Sequence, residues 1–202
     1  MRALSRPEPA IGEPGVSLFP IRSLHYRRAP ADTTARLSRQ DLRPEGTSLP
    51  VRETPVVTCF LLRTGPLGDD EVLILRRSGR VRTYRGRWAG VSGYLEAASE
   101  TAATSPEAQA RREIEEETGL TPADAELVRA GDPLTFEDPE LDTRWTVHPF
   151  LFRVRPGAAI AIDWEHTEAR WVRPGALGRH RTVPRLREAL ARVYPAGQGD
   201  AA

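Results

Sequence analysis

Apolar residues along this chain fall into short runs separated by glycine- and proline-rich stretches, and the runs differ in rhythm. Val56–Leu62 is nearly continuous and rich in β-branched and aromatic residues, which predicts a buried strand. Glu71–Arg76 carries Val72, Leu73, Ile74 and Leu75 and predicts a second. The stretch Gly65-Pro66-Leu67-Gly68-Asp69-Asp70 between them reads as a turn, so the two form a hairpin. Trp88–Gly93 reads as a short strand ending in glycine. A helix follows over 106–118. Ser105 suits its N-cap, Pro106 its first position and Gly119 the residue after its end. Strands are expected at Glu126–Arg129, Trp145–Val154 and Ala169–Val172, and the acidic stretch Phe136–Asp142 as a long loop or lid. A last helix, Val183–Val193, places Leu186, Leu190 and Val193 on one side. The order β-β-β-α-β-β-β-α predicts an α/β (α+β) sandwich around a mixed sheet.

Residues 1–50 do not share this patterning. They hold seven prolines and read as a partly irregular extension, a tail or strap with arginines able to touch an anionic partner. The domain is expected over 51–178, with a C-terminal helix and tail over 179–202. Apolar runs are too short for a spanning helix, which needs about 20 residues. No secretory signal is evident, so no membrane association and a cytoplasmic location are expected. The one cysteine, Cys59, sits in the apolar run and is expected as a buried core thiol.

Composition adds one constraint. All 29 basic residues are arginine, so no lysine base, Schiff base or phosphate-loop lysine exists. The net charge of +1 hides an uneven distribution: residues 101–150 carry 12 acids against 4 arginines. Much of that excess lies on the predicted helix. At about 100° per residue, Glu113, Glu116 and Glu117 span one arc, beside the apolar Ala110 and Ile114. Glu113 and Glu117 are like charges four apart, mildly destabilising in an exposed helix. A hard divalent cation, which seeks several oxygen ligands, resolves the conflict.

The order Arg112-Glu113-Ile114-Glu115-Glu116-Glu117-Thr118-Gly119-Leu120 resembles the second half of the Nudix box, Arg-Glu-U-x-Glu-Glu-x-Gly-U with U aliphatic. The first half departs from the pattern. Counting back from Arg112 puts Thr104 where the box has glutamate, consistent with an insertion of about five residues within 97–104. Glu96 or Glu100 could fill the missing role, or neither. The resemblance covers about residues 54–175 and implies an α/β/α sandwich. It also implies Mg²⁺-dependent (or Mn²⁺-dependent) cleavage of the pyrophosphate bond in a nucleoside diphosphate linked to another moiety. Carried over by position, Glu113, Glu116, Glu117 and the Gly93 carbonyl hold metal, Glu113 alternatively acting as base, and Arg112 orients the carboxylates. Glu165 is the first choice for a further metal ligand or base and Glu168 the second, while His166 is expected to be a loop residue.

On the substrate side, Arg76–Arg87 holds six arginines in twelve residues. Arg76 and Arg87 are the expected phosphate contacts, and Tyr84 and Phe136 the expected base contacts. Trp88 is read as core. The partner expected is a small nucleotide. Nucleic acid and homodimer formation stay open, and nucleic acid is not favoured. The alternative to hydrolysis is a weak or inactive binding module on the same fold. Isomerisation of an isoprenoid diphosphate, which needs a dedicated cysteine, is disfavoured.

Overall fold

The computed structural model describes residues 51–95 and 105–194. The extension 1–50 and the insertion with Glu96 and Glu100 lie outside them, as does the tail after Tyr194.

Eight strands form one mixed sheet. They are β1 (Arg52–Thr64), β2 (Asp70–Arg77), β3 (Trp88–Ala89), β4 (Val91–Tyr94), β5 (Ala125–Ala130), β6 (Leu134–Asp138), β7 (Thr143–Val154) and β8 (His166–Val172). The two long strands β1 and β7 run parallel at its centre, from Arg52 beside Thr143 to Leu62 beside Arg153. β5 and β6 both pair antiparallel with β7, one behind the other. β1 and β2 form the expected hairpin, but their pairing covers only Leu62–Thr64 against Asp70–Val72. Beyond it the strands part and a two-piece wedge enters the gap. β3 pairs with β2, and β4 pairs with β1. Gly90 is the joint of the wedge, where a Cβ would stand 2.7 Å from the Cys59 carbonyl oxygen. The single strand expected over Trp88–Gly93 is therefore two, serving different neighbours.

The alternation of β1 divides the core. Val57, Cys59 and Leu61 meet Ala110 and Ile114 of helix α1 (Pro106–Thr118) on one face. Phe60 and Leu62 meet Leu186, Leu190 and Val193 of helix α2 (Leu186–Val193) on the other. Each such buried aliphatic contributes about 1.5–3 kcal/mol, so α2 belongs to the core rather than to a tail. A 3₁₀ turn, Pro174–Arg179, adds the buried Leu177 to the same face. α2 starts three residues later than its apolar pattern suggests, because Arg185 takes a left-handed φ of 59°.

α1 is delimited as its sequence dictates. The Ser105 hydroxyl accepts from Ala108 N–H at 3.1 Å, and Gly119 (φ 70°) donates its N–H to the Glu115 carbonyl. Cys59 is buried and free. The stretch Phe136–Asp142 corrects the loop expectation. Its first half belongs to β6, hairpin-paired with β7 from Asp138 beside Thr143 to Leu134 beside Val147. Thr135 and Glu137 alternate with Leu134 and Phe136 in a half-exposed edge strand. Among the described residues no helix is long and apolar enough to cross a membrane.

Candidate active site

The wedge of β3 and β4 opens a cleft of about 290 Å³ between the parted strands. One end is acidic, lined by Glu113 and Glu116 of α1 and by Glu165 of the loop before β8. The other is aromatic and aliphatic, lined by Tyr84, Tyr94, Phe136, Trp145, Val147 and Leu186. Arg77 also lines it.

Glu113 fits because residue 93 has no side chain. A Cβ on Gly93 would lie 1.7 Å from Glu113 Oε1 and 2.0 Å from its Cδ. That carboxylate accepts from Gln109 Nε2 at 2.6 Å, one helical turn back. Glu117 lies deeper. Its side chain is 4% exposed, and Oε1 accepts from Ser92 N–H at 3.2 Å. Its Oε2 is buried with no hydrogen-bond partner among the described residues. β4 thus receives two carboxylates from α1, one at Ser92 and one at Gly93. Burial pushes Glu113 and Glu117 above the usual carboxylate range, against the pull of Gln109 on Glu113 and of the Ser92 N–H on Glu117. Neighbouring carboxylates push them further. Glu165 is raised too, by burial and then by Asp163, while Arg77 holds it down.

The loop carrying Glu165 is organised by Asp163. Its Oδ1 accepts from Glu165 N–H at 3.0 Å and faces His166 Nδ1 at 3.2 Å. Glu165 in turn accepts Ser78 N–H on its carbonyl at 2.7 Å. His166 corrects the loop expectation: it opens β8, its side chain is 0% exposed, and Nε2 stands 3.6 Å from Glu117 Oε2. Burial pushes the imidazole below its usual range, opposed by Asp163. His166 Nε2 and Glu117 Oε2 thus face each other in the interior, beyond hydrogen-bond distance.

The other expected residues separate. Arg112 is exposed and makes no ion pair among the described residues; the pair formed on this helix is Arg111 with Glu107 at 2.8 Å. Glu168 lies on β8 beside Arg170 and Arg76, away from the cleft. Arg76 is exposed, 3.8 Å from Glu168, and does not line the cleft. The pairing of β2 with β8 shifts register between Arg76 and Arg77, and such a bulge re-aims side chains. Arg87 reaches the Thr182 carbonyl at 3.3 Å and lies over the Tyr84 ring. Tyr84 holds a left-handed φ of 52° and donates its hydroxyl to Asp138 Oδ2 at 2.5 Å. Trp88 is buried in the core as expected. Trp145, Asp163 and Arg77 were not singled out from sequence. Their signals, an aromatic in a long strand, an acid two residues before another and the second of two arginines, are weak without the fold.

The acidic end fits a hard cation. Its donors are carboxylate oxygens, one buried and unpartnered among the described residues, and burial first, then neighbouring carboxylates, raises Glu113, Glu117 and Glu165. Among the described residues no three His, Cys, Asp or Glu side chains enclose an ion unaided. Mg²⁺ completes its shell with water and substrate phosphates.

The profile of the NUDIX domain family matches residues 52–193. No curated protein matches the chain. Similar solved structures include a Nudix hydrolase of M. smegmatis, RenU, at 20% identity and TM-score 0.54, over 67% of this chain and 80% of that one. A C. elegans Ap4A hydrolase in a binary complex is 17% identical with TM-score 0.55, over 69% and 93%. The NUDIX domain of Shewanella oneidensis NrtR complexed with ADP ribose is 14% identical with TM-score 0.53, over 77% and 96%. The chain belongs to the Nudix family.

Proposed function

We propose that this protein hydrolyses the pyrophosphate bond of a nucleoside diphosphate linked to another moiety, using Mg²⁺ or Mn²⁺. One observation carries the reading: glutamates from two elements meet at one end of a cleft whose other end is aromatic. Glu113, Glu116 and Glu117, with the Gly93 carbonyl, would hold the metal. When bound, the metal neutralises phosphate charge and lowers the pKa of water.

The remaining work falls to the chain. Arg77, with its Nε donated to the Thr83 carbonyl at 3.0 Å, keeps its other N–H groups for a phosphate. Glu165, whose carboxyl burial raises above its ordinary value, accepts a proton from the attacking water at its carboxylate. Tyr84, Phe136 and Trp145 cover a planar base and exclude water from that end. Glu117, deeper than the others, fixes the acidic end to β4 through Ser92. Because one similar fold is an Ap4A hydrolase and another is complexed with ADP ribose, dinucleoside polyphosphates and ADP-ribose come first in our substrate panel.

The test is product release from ADP-ribose, NADH, dinucleoside polyphosphates, nucleoside triphosphates and capped RNA, with and without Mg²⁺. Turnover should require metal and fall at least about 10³-fold in Glu116→Gln. No turnover of any substrate, in wild type and variant alike, would leave the binding-module reading in its place.

A further inference from the structure

Two arginine-rich segments far apart in sequence lie side by side next to the cleft. Residues 77–87 hold five arginines and residues 179–187 hold four, with no Asp or Glu in either. The sheet edge joins them. Trp88 N–H donates to the Arg181 carbonyl at 3.0 Å, Val183 N–H to the Trp88 carbonyl at 2.9 Å, and Arg87 Nη1 to the Thr182 carbonyl at 3.3 Å. Among the described residues, only Arg185 of these nine arginines is in an ion pair, with Glu188. Elsewhere on the described surface the fold does pair arginines with acids, as in Arg63–Glu71, Arg144–Glu137 and Arg173–Asp69.

The ridge is also held in shape. The loop closes on itself through Arg77 N–H to the Arg87 carbonyl and Gly86 N–H to the Arg77 carbonyl, both at 2.9 Å. Arg77 and Arg85 each spend Nε on a carbonyl of this loop, which fixes the guanidinium and leaves its Nη groups to donate elsewhere. At the end near Glu165, Trp164 is 55% exposed with Arg80 over its ring at 5.4 Å. Arg77 at one end and Arg185 at the other also line the cleft.

Guanidinium groups mostly without a carboxylate partner among the described residues, several pre-ordered, with an exposed indole beside them, are the features that hold a single-stranded nucleic acid. Arginine meets successive phosphates, and the aromatic face stacks a base without reading it. We propose that this ridge binds the backbone of single-stranded nucleic acid beside the cleft. Strand binding goes beyond the hydrolase reading and does not require it.

The test uses the full chain in EDTA, a labelled 15-nucleotide poly(U) with a 5′ phosphate, and fluorescence anisotropy at several salt concentrations. Wild type should bind. The variant R82Q/R181Q/R187Q changes three exposed ridge positions outside the cleft. It should lose at least about tenfold in affinity, and its salt slope should shrink by about 2, at roughly 0.7 per phosphate contact. Trp164→Ala should weaken poly(U) binding about fivefold while leaving affinity for inorganic polyphosphate unchanged. Absence of wild-type binding overturns the proposal, as does an unchanged triple variant that melts like wild type. Polyphosphate competing as well as poly(U) at equal phosphate concentration overturns the nucleic-acid assignment. Binding without turnover of any nucleotide defeats the hydrolase reading and leaves the ridge standing.

Discussion

Gly93→Ala separates positioning from folding at this site. The added Cβ would stand 1.7 Å from Glu113 Oε1, where contact between heavy atoms requires about 3.5 Å. The carboxylate must retreat by about 2 Å. It can, since the three nearest atoms all belong to the flexible end of Glu113 rather than to backbone. The retreat breaks the 2.6 Å bond from Gln109, a charged hydrogen bond of about 1.5–3 kcal/mol. Removing a glycine from the unfolded ensemble returns about 0.4–1 kcal/mol. The net loss is about 1–2 kcal/mol, or a melting point lower by about 2–8 °C. A misplacement of only 1 Å can cost about 10² in rate, so turnover should fall at least that far. Mn²⁺ affinity by calorimetry should fall with it. In a double-mutant cycle, Gly93→Ala should add little to Glu113→Gln, because both remove the same carboxylate. Full turnover and wild-type Mn²⁺ affinity in Gly93→Ala would refute the reasoning, as would a loss from Gly93→Ala undiminished in the Glu113→Gln background.

Three further outcomes are expected. Glu117 is raised by burial, so the metal-free native state binds a proton more tightly than the unfolded chain, whose carboxylate sits near 4.5; the stability this group contributes should be fully present below that pH and be lost as pH rises toward the folded value, with Mn²⁺ restoring the loss and Glu117→Gln removing this part of the pH dependence in thermal melts. Asp163→Ala removes the acceptor shared by Glu165 N–H and His166, and should cost about 1–2 kcal/mol by denaturant melt and lower kcat more than Glu168→Ala does. Arg77→Gln should raise KM at least about tenfold, while Arg76→Gln, at a position outside the cleft, should stay within about twofold.

The legible part of this protein is local. The boundaries of α1 follow from Ser105, Pro106 and Gly119, whose capping preferences act over a few residues. The strands β1 and β7 follow from long β-branched and aromatic runs that only a doubly covered position can bury. The order of glutamates on the helix identified the family, because carboxylates of one helix keep their angular relation whatever the helix packs on. Sequence alone therefore determined the class of fold and one half of the acidic end.

Contacts that depend on distant chain were not legible. Whether Arg76 or Arg77 turns into the cleft is set by a register shift against β8, about ninety residues on. Whether His166 is a surface loop residue or a buried partner of Glu117 depends on where β8 meets the rest of the sheet. Phe136 and Asp138 looked like loop because half-exposed edge strands alternate charge with apolar residues. The joining of the two arginine segments through Trp88 and Arg181 has no trace in either segment. Tertiary structure decided which arginines meet the cleft and which form a surface of their own, since only the paired backbone fixes where side chains from separate segments stand.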